Sequence, residues 1–417
     1  MVSAAPAPAP APASAPPAAP PADLHRWTSQ PAAQNPHWRD HPAYAAAMEA
    51  LTAAPALVRP DDLVRLRSAL AKAARGEWLV VQAGDCAESF YECGPEATGA
   101  RLEMLDRFAE AVGDHTGRPV LRVGRIGGQY AKPRSKPVER HEDRTLPSFR
   151  GHLVNSEVPT RAARQPDPRR MLWAYRAASR VLAQVDAHRS ARAEADAAAG
   201  HTGPSLGPWS SHEALVVDYE AGLLREDPRL GTYLGSTHLP WIGERTRDPD
   251  SVHVRMLATL ANPVGCKVGP TADPAALRRL CALLDPERTP GRLVLIARMG
   301  RDRAAQALPG LVAAVREAGH PAVWLCDPMH GNTVTAANGL KTRHLDTLAE
   351  EVRIFLRTLE AQGVPAGGIH LEAAGEAVTE CVGGAVTSER ELTRRYTTLC
   401  DPRLSPEQGL RLIADCF

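Results

Sequence analysis

The sequence predicts an α/β protein folded as a (β/α)8 TIM barrel, with an N-terminal extension and an extra helical insertion between the second and third strands. Three observations lead there. Short, β-branched apolar runs recur eight times from residue 76 onward. Segments with apolar residues at three- and four-residue spacing lie between most of them. Nearly every run ends in residues able to do chemistry, and the C-terminal ends of barrel strands are where such residues gather. An open doubly wound sheet also alternates strand and helix, but it does not usually load nearly every strand end.

The elements follow in order. Residues 1–22 alternate Ala and Pro without a basic start or a continuous apolar stretch, so they lack the parts of a signal peptide and read as a disordered, polyproline-biased tail. Residues 23–75 mix Pro, Trp and two helix-like stretches, an extension expected to pack on the barrel. The barrel itself is assigned to residues 76–417. Its eight runs are WLVVQAG before Asp85 and Cys86, PVLRVG before Arg125, ALVVDYE, HLPWIG before Glu244 and Arg245, NPVGCKVG around Lys267, RLVLIA before Arg298, PAVWLCDP before His330, and GGIHLE ending at Glu372. Helices are expected at 274–284, 304–317 and 345–359. Residues 166–200 form an Ala/Arg-rich helical stretch about twice as long as a crossover helix requires, a candidate interface or regulatory element. A loop and a terminal helix close the chain at 388–417.

Composition narrows the function. Lys and Arg number 49 against 48 Asp and Glu, a formal charge of +1, which excludes an electrostatic nucleic-acid binder. No apolar run approaches the roughly 20 residues that cross a bilayer, so the chain is expected to be soluble and to need no membrane. The eight cysteines are scattered without a CxxC pair, which fits reduced thiols in the cytoplasm. Only five of the basic residues are lysines, at 72, 132, 136, 267 and 341. A lysine kept where arginine is the usual cation suggests a compact, titratable charge at Lys132, Lys267 and Lys341.

Four metal-competent residues stand at barrel positions: Cys86, His330, Glu372 and Asp401. A mixed thiolate, imidazole and carboxylate set suits Mn, Co, Fe or Zn with positions left for a substrate oxygen. Taken singly, each has an ordinary structural reading, since a strand-end Cys is often a small core residue and Asp before Pro often a turn former. Six cations, Arg125, Lys132, Arg134, Arg245, Lys267 and Arg298, also fall at or beyond strand ends. A barrel would converge them on one mouth, where they repel unless phosphate or carboxylate groups lie among them. The GRIGG string at 124–128 is no dinucleotide fingerprint, because Pro133 opposes the helix such a motif must open. Adjacent Ser211, His212 and Glu213 cannot face one another as a hydrolytic triad.

The ordered strings VVQAGDCAESF, RVGRIGGQYAKPRS, SHEALVVDYE, PWIGERTR, NPVGCKVGP, LIARMG, WLCDPMHGNT, KTRH, HLEAAGE with VTEC, and CDPRL resemble the successive motifs of the class-II 3-deoxy-D-arabino-heptulosonate 7-phosphate (DAHP) synthases of plants and actinobacteria. The resemblance spans residues 27–417. It implies a metal-dependent aldol-type condensation of phosphoenolpyruvate with D-erythrose 4-phosphate, releasing phosphate and opening the shikimate pathway for aromatic amino acids or a secondary metabolite. It places the metal, Mn2+ or Co2+ with Zn2+ or Fe2+ as alternatives, on Cys86, His330, Glu372 and Asp401. Phosphoenolpyruvate would meet Arg125, Glu244, Arg245, Lys267 and Arg298 beside Trp241, with Lys267, Glu244 and Arg298 as the catalytic set. The aldose phosphate would meet Lys132, Pro133, Arg134 and Ser135. A homo-oligomer, dimer or tetramer, and a chorismate mutase partner belong to the same expectation. The sequence departs from the family pattern at Ala83, Gly127, Ala297 and in HLEAAGEA. These changes leave open a sister synthase that takes an amino analogue or another aldose phosphate.

Overall fold

A computed structural model describes residues 24–141, 143–198, 200 and 203–417, so the proposed tail at 1–22 lies outside the described residues. Eight parallel strands close a barrel: β1 Leu79–Gly84, β2 Val120–Arg125, β3 Trp209–Glu213, β4 Leu239–Ile242, β5 Val264–Val268, β6 Leu293–Ala297, β7 Val323–Cys326 and β8 Ala366–Glu372. Each strand pairs with its sequence neighbours, and β8 returns to β1 with Val80 opposite Gly368 and Gly84 opposite Glu372. Apart from Ala366 every strand residue is buried, as parallel strands covered on both faces require.

Strand alternation sorts the side chains. On β1, Leu79, Val81 and Ala83 join the core beneath the surrounding helices, whereas Val80 joins the barrel interior. Near the N-terminal ends the interior is apolar, with Val80, Leu121, Val123, Leu239, Val294, Ile296, Val323 and Leu325 in one cluster. Helix α1, Pro60–Ala74, packs Leu66, Ala69, Leu70 and Ala73 into that cluster and plugs this end of the barrel. Towards the C-terminal ends the same alternation turns Gln82, Arg125, Ser211, Glu213, Lys267, His370 and Glu372 inward, all buried. Buried polar atoms must find partners, and these find one another or face the cavity above.

The helices at 274–284, 304–317 and 345–359 appear as α3 Pro274–Leu284, α4 Arg301–Glu317 and α5 Leu345–Ala361. Asp273 caps α3, accepting from Ala276 N–H, with Pro274 at the first position. The 166–200 stretch becomes α2, Arg170–Ala198, a single 29-residue helix between β2 and β3 whose Met171, Ala174, Ala178, Val181 and Val185 face inward. No helix among the described residues is long and apolar enough to cross a membrane.

The third run requires a correction. ALVVDYE at 214–220 is not a strand. The strand is WSSHE just before it, and Val217–Gly222 is a short helix. The strand is polar yet buried because its side chains are matched: Ser210 Oγ lies 2.8 Å from His238 Nδ1 and His212 Nε2 lies 2.9 Å from Glu220 Oε1. The apolar run serves a different contact, with Leu215, Val216 and Tyr219 packing against Trp38, Met48 and Leu51 of the N-terminal extension. Trp38 and Arg39 fasten that extension by bonding the buried Asp218 at 2.7 and 2.9 Å.

Candidate active site

The GRIGG turn shapes the wall of the site. Gly127 has φ +79°, a left-handed conformation that glycine adopts freely. The turn points the N–H groups of Gly127, Gly128 and Gln129 at the buried Glu88 carboxylate, at 2.8, 2.8 and 2.7 Å. The glycine-rich loop therefore wraps a carboxylate of its own chain, and the chain continues into Lys132, Pro133, Arg134 and Ser135.

The strand ends enclose a cavity of about 930 Å³ lined by Arg125, Lys132, Pro133, Arg134, Ser135, Glu244, Arg245, Lys267, Arg298, His330 and Asp401. Eleven of the fourteen residues singled out from sequence thus share one wall. Trp241 lies beneath it, with the Arg125 guanidinium 5.2 Å from its ring centroid. Cys86 and Glu372 are buried at its inner edge.

Ligand atoms of His330, Glu372 and Asp401 all lie within 4.8 Å of one another. Cys86 is not in that set. Its Sγ stands beside it, 3.4 Å from the Asp401 backbone N–H and 3.2 Å from Thr398 Oγ1. All eight cysteines are free thiols. Glu372 Oε1 meets Lys132 Nζ at 2.7 Å, Arg125 Nη2 at 3.2 Å and His330 Nε2 at 3.0 Å, while Oε2 meets Arg343 Nη2 at 2.8 Å. Burial alone would raise this carboxyl, but His330, Lys132 and Arg343 hold it well below the usual carboxylate range. Asp401, between Lys132 at 3.1 Å and Lys341 at 2.8 Å, is likewise held low against its burial. Burial pushes the Cys86 thiol up, with Lys132 opposing.

Asp327 joins the cation and metal-competent halves. One of its oxygens lies 2.9 Å from Lys267 Nζ and 2.8 Å from His330 Nδ1, which leaves the other imidazole nitrogen facing Glu372. Burial lowers Lys267 to about 8, although Asp327 favours its charge. Arg298 donates to the His330 carbonyl at 2.8 Å, and Arg245 donates to Ser135 Oγ at 2.7 Å. Arg134 is paired with Glu139 at 2.7 Å, which also binds Arg164 at 2.6 Å.

Sequence reasoning missed Arg343, fully buried on Glu372, and Asp327 on His330 and Lys267, although the KTRH and CDPMH strings contain them. It also missed Glu213, which lines the cavity with Oε1 unpartnered and whose carboxyl is raised by burial. Placing the third strand on ALVVDYE hid Glu213. On the true strand it is the terminal residue, in the position that marked the others.

The fold and site together define a TIM-barrel protein whose C-terminal mouth sets a compact His/Glu/Asp cluster, with donors suited to a divalent cation, beside a strongly cationic cavity. The chain belongs to the class-II DAHP synthetase family, whose profile matches residues 22–203 and 196–415. It is 42% identical over 382 residues to a probable phospho-2-dehydro-3-deoxyheptonate aldolase of Pseudomonas fluorescens, covering 92% of this chain and 94% of that one. It is 39% identical to the phospho-2-dehydro-3-deoxyheptonate aldolase of Streptomyces coelicolor, covering 93% and 94%. The corresponding enzyme of Mycolicibacterium smegmatis is 38% identical, covering 92% and 91%.

Proposed function

We propose that this chain is a cytoplasmic DAHP synthase that condenses phosphoenolpyruvate with D-erythrose 4-phosphate and releases phosphate. The observation that carries the reading is the joining of the His330, Glu372 and Asp401 cluster to the Arg/Lys-lined cavity within one barrel mouth. Membership of the class-II DAHP synthetase family supports it.

The donor set fits a divalent metal such as Mn2+ or Co2+. It offers an imidazole whose second nitrogen is fixed by Asp327, two carboxylates held ionised, and the adjacent Cys86 sulfur. His330, Glu372, Asp401 and Cys86 would hold the ion, which when bound supplies Lewis acidity to the aldehyde oxygen of the aldose phosphate.

The chain's own residues do the rest. Arg125, Arg245, Lys267 and Arg298 grip the carboxylate and phosphate oxygens of phosphoenolpyruvate, and Lys132, Arg134 and Ser135 receive the aldose phosphate. Holding both substrates in one enclosure turns their encounter into a step between fixed neighbours, with C3 of phosphoenolpyruvate directed at the aldehyde carbon. The cationic wall stabilises the departing phosphate after water adds at C2. Proton transfer falls to Lys267, with its pKa lowered to about 8, and to Glu213, whose buried carboxyl is raised. Glu244, whose Oε1 is paired with Arg247 at 2.9 Å and whose Oε2 is unpartnered in the cavity lining, is the further candidate for this role.

Stripped protein reloaded with Mn2+ or Co2+ is expected to consume phosphoenolpyruvate only when erythrose 4-phosphate is present, read as loss of phosphoenolpyruvate absorbance. No turnover with a verified metal load would overturn the reading. Turnover confined to another aldose phosphate would correct the acceptor.

A further inference from the structure

A chain of hydrogen bonds crosses the barrel interior directly below the cavity. Arg125 Nη1 lies 2.8 Å from His370 Nε2, and His370 Nδ1 lies 2.8 Å from Gln82 Oε1. Gln82 Nε2 donates to Ser211 Oγ at 3.0 Å, and Ser211 Oγ donates to the Gly124 carbonyl at 2.9 Å. All five residues are buried. The chain leaves β2 at Arg125, visits β8, β1 and β3, and returns to β2 at Gly124.

Both ends have fixed polarity, because a guanidinium only donates and a backbone carbonyl only accepts. The single Ser211 hydroxyl proton goes to Gly124, so Ser211 accepts from the Gln82 amide NH2. The Gln82 oxygen consequently faces His370, which must donate from Nδ1. At Nε2 the imidazole must accept, because Arg125 points an N–H at it. Each constraint agrees with the next, and together they select the neutral Nδ1–H tautomer.

The tautomer matters for Arg125, whose guanidinium has five N–H donors. Nε donates to the Asp85 carbonyl at 2.9 Å, and Nη2 to the Cys86 carbonyl at 3.3 Å and Glu372 Oε1 at 3.2 Å. Nη1 gives one N–H to His370, so one Nη1 N–H is left for the cavity. The group is planar, and fixing its three nitrogens fixes the direction of that last donor. The Nε2–H tautomer would set two N–H groups face to face and turn the guanidinium away.

We propose that His370 is a positioning residue: held as the Nδ1–H tautomer by Gln82 and Ser211, it fixes Arg125 so that its one remaining N–H addresses an anionic oxygen of the substrate. The identity of that anion, phosphoenolpyruvate, rests on the functional reading above, whereas the tautomer does not.

Two measurements separate these layers. Protein labelled with 15N-histidine is expected to show His370, assigned by its loss in His370→Gln, with Nδ1 protonated and Nε2 bare; the opposite pattern overturns the proposal. Gln82→Leu is expected to abolish that fixed pattern, and its persistence would also count against the chain. His370→Asn can reach only the Nδ1 position, whereas His370→Gln can place an acceptor near the Nε2 position. Phosphoenolpyruvate KM is expected to rise about tenfold or more in His370→Asn, with kcat and bound Mn2+ changed far less, and to recover largely in His370→Gln. Equal KM values in the two variants, or a loss confined to kcat, would overturn the positioning role. If the parent itself neither binds nor consumes phosphoenolpyruvate, the functional reading and the anion assignment fall, and the 15N pattern still decides the tautomer.

Discussion

Single side chains set the charge state of the site. Glu372 places its one negative charge among Arg125, Lys132 and Arg343, three buried cations that would otherwise face one another. Glu372→Gln keeps the shape and removes that charge, so retained metal, measured by elemental analysis after dialysis, is expected to fall with affinity by about a hundredfold or more. Activity is expected to fall with it. Lys267 gives a pH signature. Its pKa is lowered to about 8 by burial, so its charge is present below that pH and lost as pH rises through it. Substrate anions need the charged form, and kcat/KM for phosphoenolpyruvate is expected to decline above about pH 8, reporting the free enzyme. A profile flat through that pH would remove Lys267 from the binding set.

At the scale of elements, the site depends on ties between loops. Arg403, just beyond Asp401, donates to Asp85 at 2.6 Å and to Glu380 at 2.8 Å, and Asp85 is also paired with Arg101 at 2.6 Å. This buried knot fastens the terminal loop carrying Asp401 to the end of β1, beside Cys86. Arg403→Ala leaves two buried carboxylates short of a partner and is expected to destabilise by about 3–5 kcal/mol in urea unfolding. Metal affinity is expected to fall in the folded variant, and Arg403→Lys to restore only part of it because lysine lacks the planar fork. On α5, Glu351 accepts from Met299 and Gly300 N–H, each at 2.9 Å, and from Asn332 Nδ2 at 2.5 Å. One carboxylate thereby joins the loops after β6 and β7, which carry Arg298 and His330. Burial pushes it up to about 7.

At the scale of the whole molecule, stability and chemistry occupy opposite ends of the barrel. The N-terminal end is closed by α1, whose Leu70 is fully buried among Leu66, Val80, Trp209 and Ile296 in one cluster. Leu70→Ala is expected to cost about 2–5 kcal/mol in chemical unfolding while leaving both KM values unchanged at temperatures where the variant is folded. A shift in KM would mean that the two ends communicate.

Much of this architecture was legible in the sequence, because a parallel strand buried on both faces must be a nearly continuous apolar run and a strand end is the one place its polar neighbours can serve a common mouth. Seven of the eight runs mark true strands for that reason, and eleven of fourteen site residues line the cavity. The third strand was illegible because Ser210 and Ser211 satisfy their polarity through partners distant in sequence, His238 and Gln82, and Glu213 faces the cavity. Periodicity carries no record of such matching. The sequence by itself determined the alternation, the barrel and the inventory of chemistry. Only the tertiary structure decided which donor meets which acceptor: Arg343 on Glu372, Asp327 between His330 and Lys267, and His370 beneath Arg125. Those pairings depend on distances between strands far apart in the chain, and burial makes each one matter, because a polar atom without water must be bonded by whatever the fold brings beside it.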